Sequence, residues 1–408
     1  MRRHPLRGLL LGVTLFVAGC ADLTHNPRVD QAHERWGHMR ATVKLQLAEK
    51  SFEKGVIEEA FKQCSEVLRL DPEFVEGYLL SVRIHLERGE ISKAKAALAT
   101  AEGLAPLGPE MLYLRGLIDE RQGQLAEALE YYRGAYEARP DDLDYLLAYV
   151  ECLIATDQHE QALTVITPKR MDFEQSPAVH TLAGQTSSLL GRYVEAAECY
   201  RFAYHLAPDN PLLREEAGIA FLAAGWDNEA IEALMPLAHL QTTQPADGPA
   251  THISTSAVQA LATALVRKGR PDRAEPILER AVRDQPDRPA LWVMLAEVHL
   301  RSGHVDRAAM AARKGLDLDP DLPDARLVLA YEALQADRCP EAVDLAQTMI
   351  DRNPDDVEAR AVLARALERS PGGSARAAEH YRHILTLIPG HRWARLQLDR
   401  LNQQARAD

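Results

Sequence analysis

Residues 109–142 read PEMLYLRGLIDERQGQLAEALEYYRGAYEARPDD. Within this stretch Gly123 is followed five positions later by Ala128, and Pro140 stands near the end. The same three markers return at steps of 34 residues over most of the chain. Self-similarity at a fixed period of this length is typical of stacked copies of one supersecondary unit. The sequence therefore predicts a repeat array and not an ordinary globular domain.

The markers occupy equivalent positions in successive units. The turn residues are Gly55, Gly89, Gly123, Asp157, Gly191, Gly225, Gly269, Gly303 and Asp337. The alanines are Ala60, Ala94, Ala128, Ala162, Ala196, Ala230, Ala274, Ala308 and Ala342. The closing prolines are Pro72, Pro106, Pro140, Pro208, Pro286, Pro320 and Pro354, with Glu174 in the fourth slot. A last unit fits after a slip of one residue, through Pro371, Ala377 and Pro389.

Each marker suits one position in a pair of antiparallel helices. Glycine adopts the left-handed backbone conformation that ends the first helix, and aspartate tolerates a turn nearly as well. Alanine lets the second helix approach the first. Proline stops the second helix because it lacks the amide hydrogen and disfavours the α conformation of the residue before it. A further small residue recurs on the first helix, at Ala48, Gly116, Gly184, Gly218, Ala262, Ala296, Ala330 and Ala364.

The markers divide the chain into ten units. They begin at Ala41, Val75, Pro109, Leu143, Pro177, Pro211, Thr255, Pro289, Pro323 and Val357. Six units cover residues 41–241 and four cover residues 255–390, separated by a polar insertion at 242–254. The insertion is either a surface loop or, more specifically, a hinge or a loop that contacts a partner.

This pattern resembles the tetratricopeptide repeat, whose units have this period and these small and proline positions. The resemblance implies an all-α fold, a right-handed superhelical α-solenoid of about ten helical hairpins. Such arrays need polar caps at their ends. Residues 391–408 carry Trp393, Leu396, Leu398 and Leu401 among arginines and glutamines, which predicts a capping helix and a tail.

The N-terminus has the features of an export signal. Arg2, Arg3 and Arg7 precede an apolar run that is too short to cross a membrane. The run ends in Val17-Ala18-Gly19-Cys20, which resembles the bacterial lipobox, in which the signal is removed before the cysteine and the cysteine carries the lipid. The alternative is an ordinary signal peptide. We expect residues 1–19 to be a lipoprotein signal peptide, Cys20 to be acylated, and residues 20–40 to form a tether with one leading helical turn. Ala21 after the cysteine favours the outer membrane over the inner membrane.

Composition and motifs argue against nucleic-acid binding and against catalysis by this chain. A net charge of −13 provides no long-range attraction for nucleic acid. The sequence contains no phosphate-binding glycine loop and no Gly-x-Ser-x-Gly elbow. His33 and His38 are five residues apart, about 140° around a helix, so they do not form a zinc-protease pair. Other histidines, including His85 and His299, are scattered without ligand spacing. We expect no enzymatic activity, cofactor, metal or small-molecule substrate.

Four cysteines remain besides Cys20. They lie in four different repeats, which is too scattered for a small disulfide framework, so we expect free, buried or half-buried thiols. These residues are Cys64, Cys152, Cys199 and Cys339.

The resemblance places a concave binding surface on the first helix of each unit. Carried onto this chain, its early part consists of Glu49, Glu53, Glu76, Leu79, Arg83, Glu110, Tyr113, Leu117, Asp144, Leu147 and Glu151. Its late part includes Arg267, Arg301 and Arg365. The groove is thus predicted to be acidic at its start and mixed to basic at its end, although ordinary surface variation would explain the same charges.

These features predict a protein-binding adaptor or scaffold, lipid-anchored in the cell envelope and facing the periplasm. An extended segment or a helix of another protein would occupy the groove. The complexes that similar lipoproteins serve include pili, secretion systems and exopolysaccharide export. Two alternatives stay open: a non-catalytic partner of an envelope enzyme such as a peptidoglycan hydrolase, and a cytoplasmic regulatory repeat protein.

Overall fold

A computed structural model describes residues 27–243 and 253–407 of the 408. The predicted signal peptide, Cys20 and most of the polar insertion lie outside these residues. Within the described ranges the chain forms 21 α-helices and no strand, so the all-α prediction is confirmed.

The helices follow one another along the chain with short connections. They are α1 Pro27–Glu53, α2 Ile57–Leu70, α3 Val75–Glu87, α4 Ile91–Leu104, α5 Pro109–Arg121, α6 Leu125–Ala138, α7 Leu143–Ala155, α8 His159–Asp172, α9 Pro177–Leu189, α10 Tyr193–Leu206, α11 Pro211–Ala223, α12 Asp227–Thr243, α13 Thr255–Arg267, α14 Pro271–Asp284, α15 Pro289–Arg301, α16 Val305–Leu318, α17 Pro323–Gln335, α18 Cys339–Arg352, α19 Val357–Arg369, α20 Ser374–Leu387 and α21 Arg392–Ala407. Odd-numbered helices up to α19 are the first helices of hairpins, and even-numbered helices are the second.

The turns inside the first nine hairpins have the conformation that their sequence markers predict. All nine turn residues have a positive φ, between 59° and 80°. The two aspartates, Asp157 at 59° and Asp337 at 60°, take the same left-handed conformation as the glycines. One residue per repeat therefore sets the reversal of the chain.

Small residues on the first helices let the two helices of a hairpin approach closely. A Cβ atom added to Gly116 would lie 2.6 Å from the ring of Tyr132, and one added to Gly184 would lie 2.7 Å from the ring of Tyr200. The residue that faces the glycine is thus a large side chain four positions after the alanine marker. The alanine itself, Ala128 in the first of these hairpins, is fully buried.

The first helix is longer than expected. It begins at Pro27, so residues 27–40 form its first half, and the prediction of a tether up to residue 40 is wrong over this range. Gly37 packs so closely on the end of α2 that an added Cβ would lie 2.8 Å from the carbonyl oxygen of Leu70. The His38 Nδ1 atom lies 2.7 Å from a carboxylate oxygen of Asp71. These contacts hold the extension against its hairpin partner.

The chain divides into two compact units, residues 1–173 and residues 174–408. We call their described parts the N-terminal unit (27–173) and the C-terminal unit (174–407). The boundary lies well before the insertion at 242–254. Leu234 of α12 and Leu261 of α13 belong to one apolar cluster, so the core of the C-terminal unit continues past the insertion. A hinge between six and four repeats is therefore not supported.

The last helix closes the C-terminal unit, which confirms the predicted cap. Ala394 and Leu401 of α21 are buried in the cluster that contains Tyr381 of α20, and Leu398 packs against that cluster. Leu396 is exposed. The other exposed residues between positions 392 and 404 are all polar, as the end of a repeat array requires.

None of the four cysteines within the described residues forms a disulfide, and all four are buried, as predicted. Burial raises the pKa of the Cys64 thiol to about 12, so this thiol is not a reactive thiolate at neutral pH.

Candidate functional site

The predicted groove residues of the N-terminal unit lie on the first helices α1, α3, α5 and α7. The exposed residues among them are Glu49, Glu53, Glu76, Asp144 and Glu151. The half-buried ones are Arg83, Glu110, Tyr113, Leu117 and Leu147. The surface therefore consists of exposed carboxylates around a partly buried, more apolar strip.

One arginine lies among the carboxylates of α1, α3 and α5. Arg83 Nη2 is 2.7 Å from Glu110 Oε1, which joins α3 to α5 by an ion pair. Partial burial raises the pKa of Glu49, with Arg83 opposing and Glu53 and Glu110 adding to the rise. The structure thus brings these four predicted residues into one electrostatic neighbourhood in which negative charge exceeds positive charge.

A cluster of tyrosines lies beside the carboxylates. The Tyr113 ring centroid is 5.1 Å from that of Tyr145 and 5.9 Å from that of Tyr132. Burial, with Asp144 nearby, raises the pKa of Tyr113 to about 12, so its hydroxyl stays a neutral hydrogen-bonding group. The Tyr132 hydroxyl donates to Glu120 Oε2 at 2.5 Å. Aromatic faces beside carboxylates can hold a cationic side chain through cation–π and ionic contacts together.

The carboxylates continue onto α7. Burial raises the pKa of Glu151, and Glu120 on α5 adds to the rise. Two like charges held near each other gain from a cation placed between them. Glu151 and Glu120 therefore extend the acidic surface towards the end of the first helices.

Leu79 was predicted to line the groove, and that prediction is wrong. Its side chain is only 6% exposed and belongs to a core cluster with Val82 and Leu98. Because residues three apart lie on the same side of a helix, Leu79 is buried with Val82 in the core that α3 forms with α4 and α5. Leu79 stabilises the fold and is not available to a partner.

The predicted arginines of the C-terminal unit are exposed, but acidic residues lie among them. Arg267 Nη1 is 3.4 Å from a carboxylate oxygen of Asp227. Burial raises the pKa of Glu297, with Asp324 adding to the rise and Arg301 opposing it. Arg365 lines a hollow with Glu358 and Trp393. The charges on this unit are therefore mixed.

A second exposed surface was missed because the start of its helix was assigned to the tether. Trp36 (63% exposed), Met39, Val43 and Leu47 (52% exposed) form an apolar stripe along α1. They border a hollow of about 420 Å³, which is also lined by Leu70, by the basic residues Arg40, Lys44 and Arg69, and by Glu66, the ion-pair partner of Lys44. The spacing of three, four and four residues is the amphipathic helix pattern, and this was the signal that could have revealed the stripe. We call these four residues the α1 stripe.

No helix in the described ranges is both long enough and apolar enough to cross a bilayer.

Profiles of the tetratricopeptide repeat match residues 79–142, 121–186, 260–323 and 327–391. Together these matches cover more than half of the chain, and the chain belongs to the tetratricopeptide repeat family. Members of this family are typically non-catalytic modules that bind other proteins or peptides, and no enzyme family is indicated.

Two curated relatives are similar to parts of this chain. Tetratricopeptide repeat protein 16 of Macaca fascicularis is 27% identical over 160 residues, which is 37% of this chain and 18% of the relative. Its Homo sapiens counterpart is 30% identical over 110 residues, which is 25% of this chain and 13% of the relative. The chain thus spans less than a fifth of the length of either relative.

Among solved structures, Pseudomonas aeruginosa PilF has a TM-score of 0.45 and 15% identity, covering 51% of this chain and 95% of that chain. PilW, described as a type IV pilus biogenesis factor, has a TM-score of 0.45 and 19% identity, and the match covers 55% of this chain and 98% of PilW. At this level neither structure bears on which complex this chain serves.

Proposed function

We propose that this protein is a lipid-anchored adaptor of the cell envelope that holds a cationic segment of another protein on the first helices of its N-terminal unit. One observation carries the proposal: exposed carboxylates on α1, α3 and α7 surround the Arg83–Glu110 pair and the Tyr113 ring. A lysine- or arginine-bearing helix or extended segment fits this combination, because both the carboxylates and the aromatic faces attract cations. No group on this surface is arranged for bond making or breaking.

The anchor in this proposal is Cys20, whose surrounding sequence resembles a lipobox. The acyl chains would hold the protein at the membrane and the repeats would face the periplasm, with the outer membrane favoured. Each buried methylene contributes about 0.8 kcal/mol, so several acyl chains make attachment stable. Assembly of a pilus, secretion or exopolysaccharide-export complex is the role we favour. Partnership with an envelope hydrolase is the second candidate.

The α1 stripe supports the membrane side of the proposal. Cys20 precedes Pro27 by seven residues, so an anchor there would keep the start of α1 within roughly 25 Å of the bilayer. Tryptophan with aliphatic neighbours and flanking basic residues suits the headgroup region of a membrane. We therefore propose the bilayer surface as the occupant of the α1 stripe.

The anchor is tested by fractionating cells that express Cys20→Ser. We expect the variant to leave the membrane fraction. Full membrane retention would overturn the lipid anchor and favour either an uncleaved signal or a different means of attachment.

The α1 stripe is tested by placing a photocrosslinking residue at Val43 in the otherwise native, anchored chain. We expect crosslinks to lipid, and none from a control at the equally exposed Val194 on α10. Crosslinks to a protein, or to a second copy of this chain, would refute the membrane contact, as would an absence of crosslinks. Either result leaves the anchor test unaffected.

The binding surface is tested in two stages. A photocrosslinker at Leu117 first identifies the partner in cells, and the purified pair is then titrated. We expect the triple change Glu53→Lys, Glu76→Lys and Asp144→Lys to weaken binding roughly tenfold or more, because each reversal replaces attraction for a cation with repulsion.

The matched control reverses Glu59, Glu127 and Glu137, which are exposed on second helices. Glu76, Asp144, Glu59 and Glu127 all lie in the first turn of a helix, and Glu137 and Glu53 both lie near a helix end. The two triple variants therefore change net charge and helix-dipole contacts alike. Equal loss of binding in both would overturn the assignment of the surface.

A further inference from the structure

Three potential metal ligands converge between two hairpins of the C-terminal unit. They are Glu275 on α14, His299 on α15 and His304 at the start of α16. The His299 Nδ1 atom is 3.4 Å from Glu275 Oε1, and the His304 Nδ1 atom is 3.3 Å from Glu275 Oε2. Glu275 comes from one repeat and the two histidines from the next, so the three side chains meet only in the folded protein. We call them the His299 cluster.

Local backbone structure brings the two histidines together although they are five residues apart. Gly303 has φ of 80°, which reverses the chain after α15. The His304 amide then donates to the His299 carbonyl oxygen at 2.8 Å. On a straight helix this spacing would turn the two side chains about 140° apart. The turn instead places both imidazoles beside the same carboxylate.

The His299 side chain lacks a hydrogen bond that its burial would normally require. His299 is only 4% exposed, and its Nδ1 atom has no hydrogen-bond partner. Buried polar atoms are nearly always paired, and an exception needs an explanation. The same nitrogen faces Glu275, whose side chain is 13% exposed, while the His304 side chain is 48% exposed. The cluster is therefore closed on the His299 side and open to water on the His304 side.

Each histidine Nδ1 atom lies 3.3 to 3.4 Å from one of the two Glu275 oxygens, and the ligand atoms of all three residues lie within 4.8 Å of one another, which is compatible with a tetrahedral metal ion. With metal–ligand bonds of about 2.0 to 2.2 Å, two ligands of a tetrahedron lie about 3.3 to 3.5 Å apart. We propose that the His299 cluster binds a divalent transition-metal ion, zinc being the best match to two imidazoles and one carboxylate. Water from the open side would complete the coordination. The ion would tie the hairpin of α13 and α14 to that of α15 and α16.

Arg307 is the competitor for the carboxylate. Its Nη1 atom is 3.0 Å from Glu275 Oε1, and its side chain is 57% exposed. A metal ion would replace the guanidinium as the positive charge beside Glu275, and the exposed arginine can move into water. Removing Arg307 should therefore strengthen metal binding, whereas an arrangement that is only an ion pair would gain nothing from its removal.

The test is a zinc titration of the full-length, detergent-solubilised protein after chelation and dialysis, followed by calorimetry and by the visible absorption of a Co²⁺ form. We expect one ion per chain. His304→Ala and Glu275→Gln should each weaken binding at least tenfold, and Arg307→Gln should tighten it. His85→Gln, in an earlier repeat, should change neither stoichiometry nor affinity.

His304 is half exposed, so its replacement should leave the fold intact, which circular dichroism will check. Absence of a stoichiometric site in the wild-type protein would refute the proposal. Zinc bound with the same affinity after His304→Ala and Glu275→Gln would also refute it, because the ion would then lie elsewhere.

Discussion

Two hairpin turns, one after α3 and one after α15, have the same backbone conformation but carry different side chains. His85 and Glu90 occupy the repeat positions of His299 and His304, and Phe61 occupies that of Glu275. Gly89 and Gly303 have φ of 69° and 80°, and in both turns the residue after the glycine donates its amide to the histidine carbonyl at 2.8 Å. The backbone is therefore not the source of any functional difference.

The side chains have different partners. The His85 Nδ1 atom lies 2.7 Å from Glu90 Oε2, so this histidine is paired within its own hairpin. The Phe61 ring packs edge-on against the His85 ring, and Arg88 lies over Phe61 at 4.4 Å. The His299 Nδ1 atom has only the longer contact to Glu275. His85 is hydrogen-bonded by a carboxylate of its own hairpin. His299 instead faces a carboxylate of the neighbouring hairpin at a longer distance, which leaves room for an ion between them.

The largest effect on zinc binding should follow from giving the turn after α15 the residues of the turn after α3. Glu275→Phe with His304→Glu removes one carboxylate and one imidazole and supplies His299 with a pairing carboxylate from its own hairpin, as Glu90 pairs with His85, so we expect zinc affinity to fall at least a hundredfold. Calorimetry measures the loss and circular dichroism checks helicity. Retained binding in a folded variant would show that the turns differ in some other way.

The converse exchange should create a site. Phe61→Glu with Glu90→His supplies the missing carboxylate and second imidazole around His85, on a turn of the same geometry. We expect a second zinc equivalent per chain, weaker than the first because Arg88 lies beside the new carboxylate. A titration that still ends at one equivalent would mean that backbone equivalence is not sufficient.

The glycines give a smaller effect. Gly89→Ala and Gly303→Ala each place a side chain at positive φ, and we expect each to lower the free energy of unfolding by roughly 1–2 kcal/mol in metal-free protein. Chemical denaturation measures this cost. Only Gly303→Ala should also weaken zinc binding, and equal zinc affinities in the two variants would argue against a role of the turn in positioning the ligands.

The smallest effect is expected at His85. His85→Gln breaks the pair with Glu90, which costs about 1 kcal/mol of unfolding free energy, because Glu90 keeps its contacts with Lys93 and Arg88. Thermal unfolding with and without zinc measures the change. A zinc-dependent difference between this variant and the wild type would indicate metal binding at both turns.

Sequence reasoning succeeded where one residue decides the local structure. The nine turn markers were placed correctly because a positive φ depends mainly on which residue occupies the turn position. Glycine, and to a lesser extent aspartate, tolerates that conformation. The same reasoning failed for Leu79, since its exposure depends on how α4 and α5 pack against α3. It failed for residues 27–40 because the contact of Gly37 with the end of α2 stabilises a helix start that lacks a repeat marker.

The candidate sites show the same division. The exposed carboxylates of the N-terminal surface could be predicted because the family has groove-facing positions at fixed places in each unit, and the sequence shows which residues occupy them. The contacts of these residues with one another could not be predicted. His33 and His38 were set aside because they are five residues apart, and the other histidines, His299 among them, were judged to be scattered without ligand spacing, although His304 follows His299 at the same interval of five. That judgement holds for positions 33 and 38, which lie within the continuous helix α1, but not across a turn.

The sequence by itself determined the helical hairpins, their number and their turns, because period, small residues and backbone preferences are local and repeat with the chain. Only the tertiary structure decided which side chains meet between hairpins: Arg83 with Glu110, Tyr113 with Tyr145, and Glu275 with His299 and His304. These contacts join residues that are 24 to 32 positions apart in the sequence. Their distances depend on how neighbouring hairpins stack, which the period of a repeat does not specify.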